Sequence, residues 1–165
     1  MPSFHRKGCL MNRGGVQFLL DAAIPHSVEL AKDRQGCVVL QKCLNYVVQY
    51  LLELSVPSAM EVVLDKLEGN FAYLSVQKYS SNVVEKCLKY SGEDHHCRII
   101  SELINNPRLV QILQDPYGNY VIQSAIKSCK GALYDALVDA IRPHIPAIQS
   151  NPYGKKVLST LSRKK

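Results

Sequence analysis

Four short segments place hydrogen-bonding side chains four residues apart. They are Cys37-Val38-Val39-Leu40-Gln41, Asn45-Tyr46-Val47-Val48-Gln49, Ser81-Asn82-Val83-Val84-Glu85 and Asn119-Tyr120-Val121-Ile122-Gln123. On a helix the first and fifth residues of such a pentad share one face, so two polar side chains can meet the edge of one planar group. The second residue stands beside them and, where aromatic, offers a stacking surface worth roughly 1–3 kcal/mol per nucleic-acid base. The end groups differ. Glu85 is an acceptor-only carboxylate, while Gln49 and Gln123 carry a donor and an acceptor each.

The pentads recur in frame. Ser81 lies 36 residues after Asn45 and 38 before Asn119, and Lys155 lies 36 beyond Asn119. Asp115-Pro-Tyr-Gly-Asn-Tyr-Val-Ile-Gln123 matches Asn151-Pro-Tyr-Gly-Lys-Lys-Val-Leu-Ser159, and Asp33-Arg-Gln-Gly36 repeats the Asp-x-x-Gly lead-in. A period of this length is one helical unit of a solenoid. The clearest unit predicts a short helix over Arg108–Gln114, a turn at Pro116–Gly118 and a second helix over Asn119–Ser128. A break at Cys129-Lys130-Gly131 and a third helix ending near Ile141 follow. The fold expected is therefore all-α, an α-solenoid of three-helix repeats of about 36 residues.

One junction departs from the period. Cys37 and Asn45 hold the same repeat position but stand eight residues apart, so about 28 residues of a regular array are absent between them. What remains reads as one helix from Cys37 to Leu54, with one layer of the solenoid lost. Consecutive bases should then not be served by these two pentads as they would be by separate repeats.

With these motifs in frame, the sequence resembles the Pumilio (PUF) repeat family over residues 16 to 165, as a partial domain of about three and a half repeats and a C-terminal cap. Residues 1–15 form a separate basic segment. Chemistry pairs Ser81 and Glu85 with guanine, whose Watson–Crick edge offers adjacent donors. Asn45 with Gln49, and Asn119 with Gln123, suit uracil. The resemblance further implies that Cys37 with Gln41 reads adenine and that the strand runs antiparallel, giving U, G, U and A in order. It implies single-stranded mRNA as the partner, through UGU or UGUA elements in 3′ untranslated regions. It also implies repression of translation or message stability in the cytoplasm, protein co-repressors beside the RNA, and no cofactor, small-molecule substrate or catalysis. Tyr46 and Tyr120 are the expected stackers, with Asn82 and Val38 at the same position. In the last copy Lys155, Lys156 and Ser159 replace the readers, as in a cap, and Lys155, Lys156, Arg163, Lys164 and Lys165 are read as a solvated basic tail, with phosphate contact as the second reading.

Bulk properties agree with a compact domain that meets polyanions. The chain has 165 residues, 47% hydrophobic and 21% charged, with net charge +6, a mild bias toward nucleic acid. Its six cysteines form no CxxC pair and sit in apolar runs, as small buried thiols do. No stretch is apolar enough to cross a membrane, since Gln41, Lys42, Asn45 and Gln49 interrupt the most hydrophobic one. His95-His96-Cys97 is read as a surface loop rather than a metal set, because no second ligand pair accompanies it. Tyr79, Tyr117 and Tyr153 are expected to pack between repeats, and Val47, Val48, Val83, Val84, Val121 and Ile122 to form core. A second reading stays open: a protein-interaction solenoid, or a truncated product with little RNA affinity. Three stacking sites contribute about 3–9 kcal/mol against an association cost of roughly 4–15 kcal/mol.

Overall fold

The computed structural model describes residues 58–164, together with Glu29, Lys32, Asp33, Gln35, Gly36, Val38, Val39 and Lys42. All regular structure among these residues is helical. In chain order the elements are α1 (Ser58–Leu67), α2 (Phe71–Ser75), α3 (Ser80–Tyr90), α4 (Glu93–Ile104), α5 (Leu109–Gln114), α6 (Gly118–Ser128), α7 (Gly131–Ile141), a 3-10 turn (Arg142–His144), α8 (Ile145–Ile148) and α9 (Pro152–Arg163). The compressed junction, all of its long helix except Val38, Val39 and Lys42, the basic segment 1–15, Val47 and Val48 lie outside the described residues.

Two complete units are present, α2–α4 and α5–α7. α1 stands as the third helix of a preceding unit, and α8–α9 form the first two helices of a cap. The predicted bounds of the clearest unit hold to within a residue. Pro116 and Gly118 end one helix and open the next, and Pro143 and Pro146 fall in the first turns of the 3-10 turn and of α8.

The apolar period does the stacking. Leu67, Leu103 and Ile141 share one repeat position, Val83, Val121 and Val157 a second, and Leu74, Ile112 and Ile148 a third; all are buried. Each such side chain contributes about 1.5–3 kcal/mol by leaving water. A layer of second helices results, with α6 packed between α3 and α9, while α4 and α7 pack together among the third helices. Polar ties reinforce the first layer. Arg98 of α4 reaches Asp65 of α1 at 2.7 Å and also Glu68, in the turn just after α1. The Glu102 carboxylate accepts from the backbone N–H groups of Gly69 at 2.8 Å and Ala72 at 3.0 Å, holding the entry to α2.

Candidate nucleic-acid interface

Entry into a second helix is set by the same turn at three places. The Asp115 carboxylate accepts from the backbone N–H groups of Tyr117 and Gly118, both at 2.8 Å. Asn151 does the same for Tyr153 at 2.8 Å and Gly154 at 3.0 Å, and Asp33 for Gln35 at 2.9 Å and Gly36 at 2.7 Å. A side-chain oxygen here satisfies helix-start donors that have no partner within the helix. The Asp-x-x-Gly lead-in of the sequence is thus a capping device. The α3 unit has Gln77 in that place, and its start is tied instead by Ser80, whose hydroxyl donates to the Leu74 carbonyl at 3.1 Å.

The pentad of α6 is a connected chain of polar groups. Asn119 is fully buried (0% exposed). Its Nδ2 donates to the carbonyls of Asp115 at 2.8 Å and Pro116 at 3.0 Å. Its Oδ1 accepts from Gln123 Nε2 at 3.0 Å. The Oε1 of Gln123 accepts in turn from the Thr160 hydroxyl of α9 at 3.0 Å. In this arrangement Asn119 holds Gln123, and Gln123 is the half-buried group nearer the surface.

The pentad of α3 repeats the pattern with a carboxylate. Ser81 is 3% exposed, whereas Asn82 and Glu85 are half-buried. Glu85 Oε2 accepts from the Ser124 hydroxyl of α6 at 3.3 Å. Burial pushes the Glu85 carboxyl above its ordinary value, while the Ser124 hydrogen bond and the charges of Lys127 and Lys86 pull the other way. Sequence reasoning paired Ser81 with Glu85, and Asn119 with Gln123, as equal partners at one base edge. The structure puts the first residue of each pair under the chain and the fifth toward solvent. Ser124 and Thr160 escaped notice; their signal was a hydroxyl at the residue just after the pentad frame.

At the second position, Tyr120 is 46% exposed, as a stacking residue requires. The Lys156 ammonium lies 5.2 Å from its ring centre and 3.2 Å from its hydroxyl, and 5.7 Å from the half-buried ring of Tyr153. Cys37, Gln41, Asn45, Tyr46 and Gln49 lie outside the described residues; Val38 is half-buried.

Two grooves separate the second helices. One, of about 550 Å³, runs between α3 and α6 and is lined by Asn82, Glu85, Lys86, Lys89, Ser124 and Lys127, with His96 of α4. The next, of about 360 Å³, is lined by Gln123, Lys127, Thr160, Arg163 and Lys164. Both are rich in positive charge, as a face that meets phosphates would be.

Three expectations need correction. His95 and His96 are not in a loop but in the first turns of α4, where Glu93 and Asp94 precede them. The cysteines are not uniformly buried: Cys87 and Cys129 are, but Cys97 is exposed. Nor is the basic tail simply solvated, because the Lys164 ammonium donates to the Ile126 and Cys129 carbonyls at the end of α6. Among the described residues no cluster of three His, Cys, Asp or Glu side chains could hold a metal, and no helix is long and apolar enough to cross a membrane.

Comparison with known proteins bears on the same residues. The profile of the Pumilio-family RNA binding repeat matches residues 26–47, 70–104 and 108–142. The second and third matches coincide with the units α2–α4 and α5–α7, and the first is shorter. Among curated proteins, Pumilio homolog 12 of Arabidopsis thaliana is 51% identical over 177 residues, covering 90% of this chain and 30% of that protein. Ninety percent of 165 residues is about 149, so about 28 positions of the 177-residue match have no counterpart here. That equals the length missing by the pentad spacing. Putative pumilio homolog 7 of the same plant is 39% identical over 171 residues, with 87% and 26% of the two chains covered. This chain thus spans under a third of either relative. Among solved structures, PUF-8 in complex with PBE-RNA superposes with TM-score 0.63 at 28% identity, over 91% of this chain and 54% of that one. The Puf3 RNA binding domain bound to a Cox17 RNA 3′ UTR recognition sequence gives 0.61 at 25% identity, over 86% and 49%.

Proposed function

This chain belongs to the Pumilio family of RNA-binding repeat proteins, and on that footing we propose that it is a sequence-selective binder of single-stranded RNA. The observation that carries the reading is the run of fifth-position side chains, Glu85 and Gln123, on neighbouring second helices along grooves lined by Lys86, Lys89, Lys127 and Arg163. A carboxylate acceptor suits the paired donors of guanine, and an amide suits the mixed edge of uracil. Tyr120 supplies a stacking ring beside the amide. The solved relatives named above were captured on RNA, one of them on a 3′ UTR sequence, which supports mRNA 3′ untranslated regions as the target; the UGU-type element is proposed from the pairing of the pentad side chains with base edges. The action proposed is repression of translation or message stability in the cytoplasm, without catalysis, aided by protein co-repressors. The domain proposed begins near residue 16.

A binding titration of the full chain tests this, using an oligonucleotide containing UGU against the same RNA with G changed to C. The UGU strand binds more tightly if the reading is right, and equal binding overturns it. One observation favours a weaker alternative, a protein-interaction solenoid with little RNA affinity: Asn119 is fully buried and leaves the uracil edge to Gln123. No measurable binding to either strand would favour that alternative.

A further inference from the structure

We infer that Ser124 and Thr160 are positioning residues for the base readers of the repeat before them, Ser124 setting the Glu85 carboxylate and Thr160 setting the Gln123 amide. The inference rests on the RNA reading above and deepens it. Both hydroxyls occupy the same place, the residue just after the pentad frame, and both reach back to the fifth position of the preceding unit, at 3.3 Å for Ser124 to Glu85 and 3.0 Å for Thr160 to Gln123. Sequence separations of 39 and 37 residues put these bonds across two successive joints of the solenoid.

Proton direction is fixed at the first joint, and at the second the hydroxyl proton has two acceptors. An ionised carboxylate only accepts, so the Ser124 hydroxyl must donate to Glu85. That takes one lone pair of Oε2 and leaves its other lone pair, with Oε1, for the paired donors of a base. The terminal torsion of Glu is broad and nearly two-fold when unrestrained, and a free carboxylate beside Lys86 and Lys127 would turn toward either ammonium. In the second joint the polarity runs from the backbone. The Asp115 and Pro116 carbonyls can only accept, so they take the Asn119 Nδ2 donors. Asn119 Oδ1 then demands the Gln123 Nε2, and Gln123 Oε1 is left facing Thr160, whose single hydroxyl proton is shared between it and the Lys156 carbonyl, each 3.0 Å away. One N–H of Gln123 and one lone pair remain for a base. At these two joints the reading atoms of one repeat are therefore oriented by the next.

The test uses the full chain in four variants: Ser124→Ala, Ser124→Thr, Thr160→Val and Thr160→Ser. Three quantities are read: the affinity ratio for UGU against UCU RNA, the ratio for UGU against CGU RNA, and the Glu85 carboxyl titration followed by 13C NMR without RNA. The charges acting on that carboxyl are Lys127 and Lys86, and Lys89 and His96 line the same groove; all are retained in every variant. Ser124→Ala lowers the guanine preference about three- to tenfold, the range of one hydrogen bond, and moves the Glu85 titration to higher pH; Ser124→Thr keeps both near wild type. Thr160→Val lowers discrimination of uracil from cytosine at the Gln123 position by a similar factor, and Thr160→Ser retains it. An unchanged ratio in Ser124→Ala overturns the inference, including the case where affinity for every strand falls together. If the wild-type chain shows no base preference, the RNA reading fails instead, and an unmoved Glu85 titration in Ser124→Ala then overturns positioning as well.

Discussion

A Cβ placed on Gly118 would stand 2.6 Å from the carbonyl oxygen of Ile112, so the start of α6 is pressed against the end of α5. Gly154 meets the Ile148 carbonyl in the same way. In the α3 unit the equivalent carbonyl, that of Leu74, takes a hydrogen bond from Ser80 at 3.1 Å. Gly118→Ala should therefore destabilise the chain by about 1–3 kcal/mol, the usual effect of forcing a group into filled space. Thermal unfolding of the variant measures it, and an unshifted midpoint would show that the joint yields freely.

Glu85 offers a pH test. Burial raises its carboxyl pKa, so the folded chain holds that proton to higher pH than the unfolded chain does. Its favourable contribution to folding is accordingly present below the ordinary carboxylate range and lost as pH rises through the raised value. Recognition runs the other way, because the carboxylate must be ionised to accept from guanine. Guanine preference should fall on acidification before an exposed glutamate would titrate, and Glu85→Gln should lack that pH dependence and lose about tenfold in preference at neutral pH. Affinity ratios measured across the acidic range decide it.

Tyr120 should matter through its ring. Tyr120→Ala removes a stacking surface worth about 1–3 kcal/mol, while Tyr120→Phe keeps the ring and loses only the hydroxyl contact to Lys156. Binding titrations should separate the two clearly. Equal losses would assign the effect to the hydroxyl.

Lys164 ties the end of α9 to the end of α6. Its ammonium donates to the carbonyls of Ile126 and Cys129 and lies 4.8 Å from the ring centre of Tyr134. A cation at a helix C-terminus is favourable, and Lys164→Met keeps the stem while removing the charge. The expected loss is about 1–2 kcal/mol, read from the unfolding midpoint. A midpoint at the wild-type value would show that the contact contributes nothing in solution.

The thiols should react unequally. Cys97 is exposed, whereas burial pushes the Cys87 thiol up to about 12 and raises that of Cys129. Because the thiolate is the reactive form, brief alkylation of the folded chain followed by peptide mapping should label Cys97 well ahead of Cys87 and Cys129. Label on Cys87 at comparable speed would mean that α3 opens readily.

Much of this fold was legible because its punctuation is chemical. Pro116 and Gly118 mark a helix joint whatever surrounds them, and apolar residues recurring at one repeat interval declare the core. The pentads were legible for the same reason. Burial was not, because Asn119 and Gln123 look alike as polar residues on one helix face. Only the Asp115 turn folding back over the first of them shows that it faces inward. His95-His96 was misplaced because Gly92-Glu93-Asp94 has a loop's composition. Yet acidic residues in a first turn favour a helix start, and Gly92 is the N-cap of α4. The Ser124 and Thr160 hydroxyls were invisible for a different reason: their partners lie a whole repeat away.

The bond from Ser124 to Glu85 also alters what counts as a module. If each repeat carried its own reader complete, repeats could be shuffled, duplicated or dropped with their letters intact. Here the letter straddles the seam. Grafting α2–α4 into another array would bring the carboxylate and leave its hydroxyl behind, and any excision at a repeat boundary would alter the reading on the neighbouring side of the cut.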